Sequence, residues 1–411
     1  VAERVVTAPA AVTTTANAWT RLPVAARIAI VYVVARLITT AFLLFAASLS
    51  TEGSRFGIAP SLSDLAIGWD AQWYWTVAVS GYPSQLPLAE AGHIAENAWA
   101  FMPLYAYLSA GLGFFFGSWG AGAVMVSLVA GYGACVVLHA MLRERIGADA
   151  AMWAVVLFSC GPLAALFQVG YAETLFLFFL FLSIRCVQQR RWGWLYLLVP
   201  AMGFTRPGIL AFALFLGLYG IHRFLRRRRE TLPTRDVVHI VSLGALATLV
   251  GFSWQWIAAV VTGDPGAYLA TELAWRRNWL GGESGFVPVD GWVQAAGFWF
   301  TQWGLGPETG YIFLFLLVIA VAAGLLLLPQ VKKLGIEVRL WSASYLIYLL
   351  LVFFPQSSVF RLLVPASPLF GALAVPRSLP WRLGMLALAL VGQWWWIYNM
   401  YALGNTYWQI P

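Results

Sequence analysis

The chain has 411 residues, of which 61% are hydrophobic and only 10% charged. Apolar runs of about 20 residues recur along it, which excludes a soluble domain and reads as an all-α polytopic membrane protein. The net charge of +8 does not point to nucleic acid, because the basic residues sit in short clusters between apolar runs, as the positive-inside rule requires.

Residues 1–22, rich in Thr and Ala, read as a disordered cytoplasmic tail, with no signal-peptide pattern of a short apolar segment and cleavage site. The first span is 24–49. Arg21 and Arg27 at its start place the N-terminus in the cytoplasm. Arg36 lies near the middle of that span and must face protein or a wet cavity, either pairing and capping carbonyls or meeting a ligand. The loop 50–98 is then outside. It carries Asp64, Asp70, Glu90, His93 and Glu96. Residues 64–82 combine helix-forming character with several aromatics and predict one interfacial helix, ended by Gly81-Tyr82-Pro83.

The apolar run 100–116 is short: about 16 residues give ~24 Å of helix against a ~30 Å hydrocarbon core. Runs at 119–142, 153–169 and 172–187 follow. Arg143-Glu144-Arg145, then Arg185, Arg190 and Arg191, then Arg223 and Arg226 to Arg229 all fall inside only if 100–116 begins and ends outside, as a re-entrant or surface helix. That solution puts the turn from Gln168 to Glu173 on the face of Asp70. The segment 192–222 has Arg at both ends and needs two crossings, yet 192–204 supplies only ~18 Å as helix. Two half-length helices joined by Thr205-Arg206-Pro207-Gly208 satisfy both demands. Such irregular backbone is tolerated at membrane depth where it lines protein or a cavity, so Arg206 is offered to a cavity.

The basic stretch 223–235 reads as a cytoplasmic anchor. A span at 237–262 leads to a second large outer loop, 263–308, with Arg276, Arg277 and a series of Trp. Spans at 309–328, 341–354, 362–374 and 383–401 complete the chain. Lys332, Lys333, Arg339, Arg377 and Arg382 fall inside, and 355–361, with Arg361, outside. The expectation is about 11 transmembrane helices plus re-entrant or juxtamembrane helices in the outer loops. It divides into a catalytic module 23–262, the outer loop 263–308 and a variable C-terminal module 309–411. Cys135, Cys160 and Cys186 lie in or at the ends of apolar runs and read as small buried hydrophobes. The four His show no metal spacing, and neither a Walker A nor a dinucleotide GxGxxG is present.

This topology collects Asp70, Glu173, Arg206, Arg276, Arg277 and Arg361 on one side of the membrane. Arg holds phosphate by bidentate, charge-assisted hydrogen bonds. A carboxylate takes the proton of an attacking hydroxyl. Trp and Tyr stack on sugars and sit at the headgroup level. Outside the cell there is no nucleotide pool, so the activated sugar would be membrane-borne.

Four motifs then share an order. Trp69-Asp70-Ala71-Gln72-Trp73-Tyr74 with Ser80-Gly81-Tyr82 resembles the W-D-A/G-x-x-Y/F…H/S-G-Y signature of the PIG-V family, the mannosyltransferases of GPI-anchor assembly and their bacterial relatives. Phe101-Met102-Pro103-Leu104-Tyr105 resembles its F-F-P-x-Y/F-P, with Ala106 in place of the second Pro. Tyr171-Ala172-Glu173-Thr174-Leu175-Phe176 resembles Y-S/A-E-S/T-L-F, and Thr205-Arg206-Pro207-Gly208 resembles T/A-R-S/P-x-G. The likeness covers residues 24–222 and implies the GT-C superfamily of polytopic glycosyltransferases.

The resemblance implies a GT-C-type fold, Asp70 as acid/base residue, a polyprenyl-phosphate mannose donor and inversion in one displacement. The expected phosphate ligands are Arg206 with one or more of Arg361, Arg276 and Arg277. Glu173 orients the acceptor, tunes Asp70 or pairs with an Arg; Trp69, Gln72, Tyr74 and Tyr171 complete the candidate substrate-binding set. No cofactor or divalent metal is expected. The partners are membrane lipid, the lipid-linked donor and a cell-envelope glycolipid or lipoglycan acceptor, with the active site on the extracytoplasmic side of the cell membrane. The alternatives are another polyprenyl-phosphate sugar donor, or a lipid-linked sugar transporter. The transporter would need a second broken-helix pair in the other half, and none is visible.

Overall fold

The computed structural model describes residues 18–90, 92–280 and 285–404. Residues 1–17 of the expected tail lie outside them. Apart from one isolated bridge between Leu88 and Ile94, all regular structure among the described residues is helical. In chain order come α1 (Val24–Leu49), α2 (Leu62–Ala66), α3 (Asp70–Ser80), α4 (Pro103–Phe116), α5 (Trp119–Ile146), α6 (Ala148–Ser159), α7 (Glu173–Gln188) and α8 (Trp192–Gly203). Then follow α9 (Ile209–Leu225), α10 (Thr234–Thr262), α11 (Ala267–Leu280), α12 (Asp290–Gln302), α13 (Pro307–Leu327), α14 (Ile336–Val352) and α15 (Leu379–Ile397). Short helical turns occupy 359–374, and a π-helical turn, Tyr398–Leu403, extends α15.

Four helices, α1, α5, α10 and α13, are long and apolar enough to cross a bilayer. Only 6% of the most apolar window of α13 is buried, so its Leu, Ile, Val and Phe side chains form an outer surface suited to acyl chains and not to water. The corresponding window of α5 is 56% buried, which makes it the central helix. Its small residues allow that approach: Gly131 sits against Tyr32 and Phe167, and Gly122 against the backbone of α4. Around α5 a core of Phe176, Phe181, Phe212, Phe215 and Trp341 ties α7, α9 and α14 together.

The helix α4 lies along the first turns of α5. The Tyr105 hydroxyl donates to the Ala123 carbonyl at 3.0 Å, and the Trp119 indole to that of Ala106 at 3.0 Å. The two halves α8 and α9 are joined by an irregular turn, 204–208, as expected from the spacing of Arg clusters. Gly208 has φ +126°, a conformation other residues rarely adopt, and it turns the chain back at Arg206.

Ion pairs sort by end of the bundle. Arg145–Glu337, Arg185–Glu144, Arg190–Asp236 and Arg382–Asp149 join segments expected inside. Those of Asp70, Glu173, Arg206, Arg276 and Arg361 join segments expected outside. Arg36 resolves to carbonyl capping: its guanidinium donates to the Ser159 and Ala164 carbonyls and lies over the rings of Tyr32 and Phe167.

Three boundaries differ from expectation. The single helix expected over 64–82 is two helices, because the Ala66 carbonyl accepts from the Gly170 amide at 2.8 Å and Trp69 adopts φ +56°. The span expected at 153–169 ends as α-helix at Ser159, before Gly161-Pro162. Pro365 and Pro368 break 362–374 into short turns.

Candidate active site

Asp70 and Glu173 are each the first residue of a helix, α3 and α7, where the dipole and free N–H groups favour a carboxylate. Two backbone features set those helix starts side by side. The Gly170 amide binds the end of α2, and Gly170 approaches so closely that a Cβ would lie 2.9 Å from that of Ala71. Ser127 then donates to the Val169 carbonyl at 2.8 Å, fixing the turn before α7 to α5.

Two guanidinium groups converge on the pair. Arg361 Nη1 makes a direct ion pair with Asp70 Oδ2 and stands 3.4 Å from Glu173 Oε1; Arg206 Nη2 stands 3.3 Å from the same Glu173 oxygen. Side-chain exposure is 17% for Asp70, 2% for Glu173, 9% for Arg206 and 10% for Arg361. Charges so buried persist only when paired. Two cations against two anions meet that condition. Burial pushes the Asp70 carboxyl above its usual value, assisted by Glu173 and opposed by Arg361. Burial pulls Arg361 down, but Asp70, Glu173 and Tyr171 more than restore it, so the guanidinium stays charged.

The other sequence candidates divide. Trp69 is buried beside the site; its indole donates to the Met400 carbonyl at 3.2 Å and Arg55 lies over its ring at 4.4 Å. Gln72 accepts from Arg55 at 2.8 Å. Tyr171 lies under the Arg361 guanidinium at 5.4 Å. Tyr74 packs edge-on against Phe101 and Tyr105 in the adjoining apolar cluster. Arg276 and Arg277 are engaged elsewhere. Arg276 pairs with Asp290 at 2.9 Å and bonds Gln294, and Arg277 donates to the Ile94 carbonyl.

The sequence reading missed the residues contributed by the C-terminus. Trp396 and Tyr401 share a cluster with Trp69 and Tyr171, more than 200 positions away in the chain. Their run of Trp and Tyr reads in sequence as an interface belt, so no local signal marks them. Glu272 on α11 is a further carboxyl, next to Tyr268. Burial raises it to about 7, against a hydrogen bond from Tyr268.

Beside the charged cluster is an apolar cavity of about 470 Å³. Phe158, Leu177, Leu363 and Phe370 are among its walls, and Glu173 and Thr174 stand at its polar edge. Among the described residues no group of three or more His, Cys, Asp or Glu side chains is placed to hold a metal ion.

No family model matches the chain, and no curated protein sequence matches it. Its structure is similar to several solved ones. ArnT from Cupriavidus metallidurans bound to undecaprenyl phosphate shares 16% identity over 87% of this chain and 62% of its own, with a TM-score of 0.47. The Archaeoglobus fulgidus oligosaccharyltransferase, in a complex with Zn and sulfate, shares 15% identity over 92% of this chain and 54% of its own, with a TM-score of 0.48. The archaeal oligosaccharyltransferase AglB from Archaeoglobus fulgidus, with an inhibitory peptide and a dolichol-phosphate, shares 13% identity over 92% and 56%, with a TM-score of 0.43. The chain thus spans between half and two thirds of the length of each.

Proposed function

We propose that the chain is a membrane glycosyltransferase of the GT-C superfamily, acting on a polyprenyl-phosphate sugar donor with Asp70 as general base. The observation that carries the reading is the junction of two environments. A buried cluster of two Arg and two carboxylates meets an apolar cavity at Glu173. A lipid phosphate needs both, since its head requires cations and its tail requires apolar walls.

In the proposed reaction the donor phosphate enters between Arg361 and Arg206 and takes over part of Arg361's charge, loosening its hold on Asp70. The freed carboxylate accepts the proton of an acceptor hydroxyl. The acceptor oxygen forms a bond to the anomeric carbon as the bond from that carbon to the phosphate oxygen breaks. Polyprenyl phosphate leaves, its charge met by the two guanidinium groups. Glu173 holds Arg206 and Arg361 at the right separation. With Arg276 and Arg277 bound by other partners, the phosphate role rests on Arg206 and Arg361.

The motif resemblance supplies the finer reading: mannose as the sugar, inversion from a β-linked donor to an α-mannoside, an envelope glycolipid or lipoglycan acceptor, and a site facing away from the cytoplasm. The test is an assay in liposomes with labelled polyprenyl-phosphate mannose and total membrane lipid, identifying the labelled product. Labelled glycolipid supports the reading. Transfer from another polyprenyl-phosphate sugar but not this one overturns the choice of mannose, and release of intact donor across the bilayer without product favours a transporter.

A further inference from the structure

Three hydrogen-bonding groups that the reaction above does not use lie in the cluster beside the Asp70–Arg361 pair: one from Tyr171 before α7, one from Trp396 near the end of α15 and one from Tyr401 in the turn after it. The hydroxyls of Tyr171 and Tyr401 and the indole N–H of Trp396 are buried, with 0%, 0% and 1% of those residues exposed, and among the described residues none has a hydrogen-bond partner. Such groups are uncommon inside proteins and ask for an explanation.

They share one neighbourhood. The rings of Trp396 and Tyr401 are 5.9 Å apart, and Tyr171 lies under Arg361 at 5.4 Å. Tyr171 and Tyr401 interact electrostatically with each other, and both with Asp70, Arg361 and Glu173. The wall that bears Tyr401 is fixed to the loop that bears Asp70: Tyr401 stacks on Phe56 at 5.7 Å, the Trp69 indole donates to the Met400 carbonyl, and the Arg55 amide donates to the Gly404 carbonyl at 3.3 Å. The backbone there is a π-helical turn, a form often found at functional sites.

The chemistry selects the ligand. A phosphate only accepts hydrogen bonds, and the two Arg already supply donors. An apolar tail would leave all three groups unpaired. A sugar presents hydroxyls that donate and accept, which suits a phenol able to do both and an indole that donates. In a polyprenyl-phosphate sugar the sugar is bonded directly to the phosphate, so groups within reach of the phosphate-holding Arg361 meet the sugar and not the tail.

We infer that Tyr401, with Tyr171 and Trp396, hydrogen-bonds the hydroxyl groups of the sugar carried by the donor lipid. The inference rests on the donor reading above. Its test is Tyr401→Phe, which keeps the ring stacked on Phe56 and removes the hydroxyl, with Tyr171→Phe as a second variant. Wild type and variants in lipid nanodiscs are titrated with polyprenyl phosphate and with polyprenyl-phosphate mannose.

Wild type is expected to bind the sugar-bearing lipid more tightly. Each variant is expected to lose about tenfold of that affinity, while its affinity for polyprenyl phosphate stays within about twofold of wild type. Equal weakening for both lipids, or weakening for neither, overturns the inference and leaves the donor reading standing. Wild type that binds neither lipid overturns the donor reading itself, and the inference with it.

Discussion

Arg361 is the residue whose removal is most informative. Arg361→Met fills similar space without the charge. It leaves Asp70 with no partner and Glu173 with Arg206 alone, at 3.3 Å. Removing one member of a buried ion pair costs about 3–5 kcal/mol, because the remaining charge is desolvated and unpaired. The loss should sit near the middle of that range, since Glu173 retains a cation and Asp70 keeps 17% exposure. It should also depend on pH. Without Arg361 the Asp70 carboxyl, already raised by burial, rises further and takes up a proton as pH falls, so the penalty is largest at pH 8 and shrinks by pH 5. The assay is thermal unfolding of the purified protein in one detergent across that pH range. Adding Asp70→Asn to Arg361→Met should recover at least half of the loss at pH 8, about 2 kcal/mol or more. A penalty below about 1 kcal/mol, or one unchanged by Asp70→Asn, refutes the claim that this ion pair holds the site.

Two further outcomes follow. Gly208→Ala forces a Cβ onto φ +126° and should lower stability by about 1 kcal/mol or more; because the strain falls two residues from Arg206, transfer should drop more than stability explains, checked by comparing the transfer rate with the unfolding midpoint. Glu272 binds its proton more tightly folded than unfolded, so stability from this group is present at low pH and lost as pH rises from the unfolded value, ordinary for Glu, through about 7. Glu272→Gln should therefore raise the melting temperature at pH 8 and leave it little changed at pH 4, and a pH-independent effect would contradict the assignment.

Much of this molecule is readable from spacing alone. Hydropathy places α1 at Val24–Leu49 and α10 and α13 within a few residues, because in lipid every backbone group must be satisfied within its helix. Charge placement and length predict the half-helix pair, since 192–222 has Arg at both ends and needs two crossings, and Trp192–Gly203 supplies only 12 residues for the first. Asp70, Glu173, Arg206 and Arg361 stand out in the sequence because each is a charge stranded in an otherwise apolar or aromatic segment.

What spacing cannot carry is tertiary. The break at Trp69 depends on a carbonyl donated to from Gly170 and on an indole held by Met400, neither of which leaves a local trace. Arg276 reads as free for phosphate until Asp290 and Gln294 are seen beside it. Tyr401 looks like one more interfacial aromatic, and only the packing of α15 against α1 brings it to the Asp70 loop.

The measurement that bears most directly on the central claim is the transfer rate of Asp70→Asn, alongside its donor affinity. The shape of the side chain is kept and the base is lost. General-base assistance accounts for about 10²–10⁴ in rate, so transfer should fall by that factor while polyprenyl-phosphate mannose binds at least as well as to wild type. Transfer by purified Asp70→Asn at the wild-type rate would contradict the account.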